Sequence, residues 1–205
     1  MNLASFLGLL GTFIGLVRAL PQLMGLLRAK KAWGVSVDTA ATSAVVSFGW
    51  AAYGLLTRQP YVALATGASA IVFLMVTVFA VRFGRSLREI KIAPVWFCVL
   101  IFAALTKAEQ GLGIILPVSV LAANLPQLRT AYKEDNLSDL SLGTWLLSMS
   151  DGLVWGAYSL ICHDTAIMVF AFFQMTTSGL IVSLKLMHRA RLHRKLLYDT
   201  SKTIE

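Results

Sequence analysis

Charge is scarce in this chain. Lys, Arg, Asp and Glu make up 14% of its 205 residues, against about 25% in an ordinary soluble domain. That deficit excludes a soluble domain of usual size and places function inside an apolar bundle. Cysteine is limited to Cys98 and Cys162. One falls in an expected helix and the other beside a short loop, which excludes a disulfide framework, and no Cys-x-x-Cys or Cys/His cluster suggests a metal centre. There is no nucleophilic triad, no phosphate-binding loop and no pair of carboxylates placed for hydrolysis, so neither an enzyme nor a cofactor is expected. Of the three histidines, His188 and His193 belong to a basic solvated stretch and His163 to a minimal loop. The N-terminus lacks a basic leader, and its apolar run continues into a repeat, so it reads as a retained helix.

What is present is apolar sequence. Hydrophobic residues reach 57% and the mean hydropathy is +0.72. Several runs approach the roughly 20 residues that a helix needs to cross a bilayer. The pattern predicts an all-α membrane protein of seven transmembrane helices over 3–27, 37–56, 61–82, 94–106, 111–132, 142–160 and 165–187. The net charge of +8 reads as topology, not as affinity for nucleic acid. Fifteen of the eighteen Lys and Arg residues fall in the first, third and fifth loops and in the C-terminal stretch. Seven spans put all of these on one face, whereas the other face has only Arg58 and Lys107. Because cytoplasmic loops collect basic residues, the N-terminus is expected outside and the C-terminus in the cytoplasm. The short loops suggest a bacterial cell membrane, and the basic tail is expected to lie against anionic lipid.

An internal repeat is the most informative feature. Leu20-Pro21-Gln22-Leu23 recurs as Leu125-Pro126-Gln127-Leu128. Val35-Ser36-Val37-Asp38-Thr39 recurs as Leu140-Ser141-Leu142-Gly143-Thr144, and Trp50-Ala51-Ala52-Tyr53 as Trp155-Gly156-Ala157-Tyr158. All three pairs share one offset of 105 residues. Three helices per unit is an odd number, so two units joined directly would sit inverted, and one extra crossing restores a common orientation. The chain therefore divides into a first three-helix repeat (1–83), a linker with an inversion helix (84–110), a second three-helix repeat (111–187) and a basic tail (188–205).

Two Pro-Gln pairs on equivalent helices resemble the PQ-loop repeat superfamily, which includes the SWEET and SemiSWEET sugar transporters. The resemblance covers roughly residues 5–187. It implies two parallel three-helix bundles around a central pathway, in 3+1+3 order, working by alternating access. Other members of that superfamily carry amino acids with protons, and a related fold serves as a trafficking receptor, so the resemblance implies a fold more firmly than a substrate.

Candidate site residues follow from the repeat. Pro21 and Pro126 each remove a helical N–H and crowd the carbonyl four residues back, which makes hinges of them, with Gln22 and Gln127 placed to satisfy loosened backbone groups. A static kink is the plainer alternative. Trp50 and Trp155 are candidates to line a substrate pocket or to anchor the interface; in SWEET-like proteins the equivalent aromatics bracket the substrate. Tyr53 and Tyr158, one turn further out, are candidates for an outer gate. SWEET-like sugar carriers have an asparagine sixteen residues beyond the aromatic, where this chain has Thr66 and Ala171. The implied pocket is thus less polar and less symmetric, with Ser69, Gln174, Thr177 and Asn124 as nearby polar candidates. Arg18 and Asp151 lie at similar depth within their expected spans, where a charge without a partner or role is costly. They are expected to pair across the pathway, as a structural lock or as a proton site. Asp38 is expected to complement the dipole of its own helix.

These readings point to an alternating-access transporter of a small polar solute, with sugar uniport as the first expectation. Proton-coupled movement of an amino acid or metabolite, and a non-transporting receptor or assembly subunit, are the alternatives. The expected partners are the solute and the lipid bilayer, and one chain already completes a pathway, so a monomer can suffice.

Overall fold

The repeat is visible first in the helix caps. In the computed structural model, which describes residues 2–32, 35–133 and 141–204, the side chains at 126, 127, 130 and from 192 onward lie outside the described residues. Asn2 caps helix α1 (Leu3–Ala29) by accepting from the Ser5 amide at 2.8 Å. Ser36 caps α2 (Val37–Leu56) by accepting from the Thr39 amide. Its counterpart Ser141 caps α6 (Leu142–Cys162) through the Thr144 amide. Helix α3 (Pro60–Arg82) starts with proline at a position where the missing N–H costs nothing. Helix α7 (Thr165–Ile204) starts after Asp164, whose Oδ1 accepts from the Ile167 amide at 2.9 Å.

The helical stretch Ile92–Lys133 is broken at Lys107 (φ −141°) and Ala108 (φ +43°). It therefore supplies two helices, α4 over 92–106 and α5 over 109–133. The turn is tight enough to need glycine close by: a Cβ on Gly111 would sit 2.2 Å from the Ala103 carbonyl oxygen. The result is the expected seven-helix, all-α fold, with no strand among the described residues. Most boundaries fall within two residues of expectation, and two changes stand out. The loop between α4 and α5 shrinks to two residues, and α7 continues to Ile204, because nothing after Gly179 is glycine or proline to stop it.

Each repeat packs in the same order. Helix α3 lies between α1 and α2, and α7 lies between α5 and α6. The repeats meet along two seams, α1 against α6 and α2 against the α4–α5 arm. Asp38 ties the linker helix to the first repeat. Its carboxylate accepts from the amides of Lys91, Ile92 and Ala93 at 2.9–3.2 Å. It thus caps α4 instead of its own helix, which Ser36 already caps.

One apolar cluster spans both repeats around Trp50, Tyr53, Trp155 and Tyr158. A second lies within the first repeat around Ala19, Leu23, Val37 and Val76. Large apolar side chains such as Phe13, Leu64, Phe102, Leu105 and Phe172 face outward, an exterior suited to lipid and not to water. Five stretches of the described chain are long and apolar enough to cross a membrane. One of them, Ile92–Leu125, contains the α4–α5 break. Helix α6 is not among them; it carries Ser148, Ser150, Asp151 and Ser159. The chain is an integral membrane protein.

Candidate functional site

Three layers of inter-helix contacts follow one another along the bundle. The first closes the end opposite the basic loops. Tyr53 Oη on α2 donates to Asp164 Oδ2 at 2.8 Å, and Gln59 Nε2 donates to the same oxygen. Gln59 and Asp164 are 105 residues apart and precede α3 and α7 respectively. They are one repeat position seen twice, so this lock joins the two repeats. Asp164 is buried, and the bond that its Oδ1 accepts from the Ile167 amide holds the carboxylate in place. The spacing that pairs Trp50 with Trp155 also pairs Gln59 with Asp164. Nothing else in the sequence marks them as a pair, because they lie in minimal turns and share no residue type.

The second layer is aromatic. Trp50 and Trp155 are each 7% exposed. Trp50 packs edge-on against Phe170 of α7 at 5.3 Å and against Tyr53 at 5.6 Å. Trp155 packs against Tyr158 at 5.4 Å. Its ring fills the space over Gly11 of α1, where a Cβ would come within 2.7 Å. Both indoles thus make contacts between the repeats, Trp155 in the seam of α1 with α6 and Trp50 between α2 and α7. Tyr53 takes part in the polar lock, whereas Tyr158 is 2% exposed and belongs to the aromatic core.

The third layer is ionic. Arg18 Nη1 lies 2.8 Å from Asp151 Oδ2, joining α1 to α6 across the repeats. The exposure is lopsided, 34% for the Arg18 side chain and 6% for Asp151. Asp151 Oδ1 is buried with no hydrogen-bond partner among the described residues. Arg18 and Gln22 share one face of α1, one turn apart, and both are exposed. Helix α1 runs uninterrupted through Pro21. Of the second Pro-Gln pair, the side chains of Pro126 and Gln127 lie outside the described residues.

The remaining polar candidates are engaged elsewhere. Asn124 Nδ2 donates to Thr177 Oγ1 at 2.8 Å and to Gln174 Oε1 at 3.3 Å. Gln174 Nε2 donates to the Ser148 carbonyl and to Ser178 Oγ. This network is buried between helices of the second repeat. At the matching positions the first repeat places Ala19 and Val72 in its apolar cluster. Thr66 donates to the Val62 carbonyl of its own helix at 2.6 Å, and Ser69 to that of Ala65 at 2.9 Å. Ala171 packs against Gly156 of α6, whose Cβ would meet it at 3.4 Å. A groove elsewhere, at the locked end between α5 and α7, encloses about 560 Å³ and is lined by Glu109, Gly113, Pro117, Asp164 and Phe173 among others.

No protein-family model and no curated protein sequence matches the chain. Among solved structures it is similar to one described as the 3.7 Å resolution structure of a eukaryotic SWEET transporter, with a TM-score of 0.71 and 14% sequence identity. That likeness covers 92% of this chain and 100% of the other. At this identity the likeness concerns the fold, and the fold of this chain is SWEET-like.

Proposed function

We propose that the protein is a membrane transporter of a small polar solute working by alternating access. The observation that carries this reading is the polar lock of Tyr53, Gln59 and Asp164. It joins the two repeats at one end of the bundle through a few hydrogen bonds, which rearrangement can exchange for water at modest cost. The similar solved structure, described as a transporter, supports the same reading. In the orientation expected from the charge pattern the lock is the outer gate, with the N-terminus outside and the C-terminus cytoplasmic, in a bacterial cell membrane.

Sugar uniport is the reading implied by the resemblance to SWEET proteins. A second reading, proton-coupled movement of a polar metabolite, is favoured by Arg18 and Asp151. An ion pair between the repeats, with one carboxylate oxygen unengaged, is a means of coupling that a sugar pathway does not need. The bonding of Thr66 within its own helix and the packing of Ala171 against Gly156 leave fewer free groups for sugar hydroxyls. A non-transporting receptor on this fold draws its support from the tight packing of both indoles.

Uptake into proteoliposomes, with sugars, amino acids and organic acids offered with and without a pH gradient, tests the proposal. Transport of one solute class above protein-free vesicles supports it. Absence of uptake across the panel, together with a stable partner protein captured on a loop or the tail, favours the receptor.

A further inference from the structure

We infer that the solute is a small monocarboxylate anion, recognised by Arg18 and carried with one proton that resides on Asp151. This rests on the transporter reading above and names its substrate class. The argument begins with the asymmetry of the ion pair. Of the pair, the cation is the more accessible side chain, 34% exposed, while its partner is almost wholly enclosed. A solute entering the bundle therefore meets a guanidinium first, and an anion is what that group attracts. Arg18 commits only Nη1 to Asp151 in the hydrogen bonds of the pair. A guanidinium carries five N–H donors in a planar fork that matches a carboxylate, so the unused edge is a ready anion site. Gln22, exposed one turn along the same face, is an amide suited to the solute's second polar group.

Binding of an anion there has a consequence for Asp151. Arg18 is the charged group that faces it from α1, while α7, packed on the other side of α6, presents Ala171 and Met175 at Gly152. On its own helix the neighbouring Trp155 is neutral and turns its indole N–H toward the carboxylate. Once the solute carboxylate takes the guanidinium, Asp151 is left as a buried carboxylate without a counter-charge, a state proteins avoid by protonation. The proton arrives from the side on which the solute enters and forms an O–H on a carboxylate oxygen, Oδ1 being the one left unengaged. When the solute leaves on the far side, Arg18 re-pairs with Asp151 and the proton returns to water there. One anion and one proton move together, so the cycle carries no net charge.

The test uses the full chain in proteoliposomes with radiolabelled lactate as probe and lactamide, alanine and glucose as competitors. An inside-alkaline gradient is expected to drive lactate accumulation above protein-free vesicles, independently of an imposed membrane potential. Lactamide and glucose are expected not to compete. Arg18→Gln should weaken lactate binding about tenfold to a hundredfold, the loss of a hydrogen bond to a charged group. Asp151→Asn should bind lactate more tightly, because the internal competitor for Arg18 is gone. It should retain lactate exchange, lose gradient-driven accumulation and become sensitive to membrane potential. Thermal unfolding with and without lactate reports binding to each variant independently of flux. Equal competition by alanine would replace the anion with a zwitterion, and uptake of glucose alone would replace it with a sugar. Either overturns this inference and leaves the transporter reading standing. No flux of lactate and no stabilisation by it overturns this inference, while the wider solute panel described above judges the transporter reading.

Discussion

Gln59 and Asp164 stand at the same place in their respective repeats, 105 residues apart, and hydrogen-bond to each other. A contact between equivalent positions is what a pseudo-twofold axis running through them produces. It identifies the end at which the two repeats close on one another. Tyr53 strengthens that closure from α2. Its counterpart Tyr158 does not mirror it but packs into the aromatic core, so the gate is asymmetric.

Opening the lock is the first expected effect of mutation. Tyr53→Phe removes one hydrogen bond to a carboxylate, worth about 1.5–3 kcal/mol. It should raise the open population at this end by about tenfold or more. With Cys98 and Cys162 replaced, a cysteine at Ala166, which is buried beside this layer, should react faster with a membrane-impermeant maleimide in the Tyr53→Phe background. Unchanged labelling would assign Tyr53 a packing role only.

The linker helix depends on Asp38. Asp38→Ala leaves the amides of Lys91, Ile92 and Ala93 without their acceptor. The cost should be about 0.5–2 kcal/mol, as for loss of a helix cap. A lower midpoint in thermal unfolding checks this. Asp38→Asn, which keeps an acceptor oxygen, should fall less.

Two glycines should respond oppositely to alanine. A Cβ on Gly54 would lie 2.6 Å from the Ala63 backbone nitrogen, at the close contact between α2 and α3. Gly54→Ala should therefore destabilise by about 1–3 kcal/mol, as overpacking does. Gly25 has nothing within 4 Å of its Cβ position. Gly25→Ala should be neutral or stabilise by up to about 1 kcal/mol through helix propensity. Equal effects in a denaturation series would contradict the packing described between α2 and α3.

The buried network of the second repeat should be intolerant of partial loss. Asn124→Leu leaves Gln174 Oε1 without its donor and removes the bond to Thr177, whose hydroxyl keeps its bond to the Phe173 carbonyl, at a cost of about 1–3 kcal/mol for the group left unsatisfied. Exchanging Ala19, its counterpart in the apolar first repeat, for valine should cost less. Unfolding of the two variants side by side separates a polar network from plain packing.

Much of this architecture was legible in the residues. Span lengths, loop charges and three motif pairs at one spacing were enough for seven helices in 3+1+3 order, because each is a local or periodic property. The pairing of Arg18 with Asp151 was legible too, since two charges at equal depth in apolar helices have few other ways to be satisfied. What the residues did not reveal depends on tertiary contact. Asp38 looks like a cap for its own helix until the linker helix is found to begin against it. Asp164 and Gln59 look like turn residues until the repeats meet. Thr66 and Ala171 sit at positions that read as pocket lining, but a hydroxyl in a helix can bond its own turn, and an alanine opposite glycine draws two helices together. The side chains of Pro126 and Gln127 lie outside the described residues, so the second hinge stands as an expectation from the sequence.

Alternating access at the Tyr53–Gln59–Asp164 end is tested most directly by locking it. Gln59→Cys with Asp164→Cys, in a chain lacking Cys98 and Cys162, is bridged with a short, cleavable bifunctional thiol reagent, and solute uptake is measured before bridging, after bridging and after cleavage of the bridge. The account predicts that bridging stops uptake and that cleavage restores it. Uptake that continues unchanged through the bridged state would contradict it.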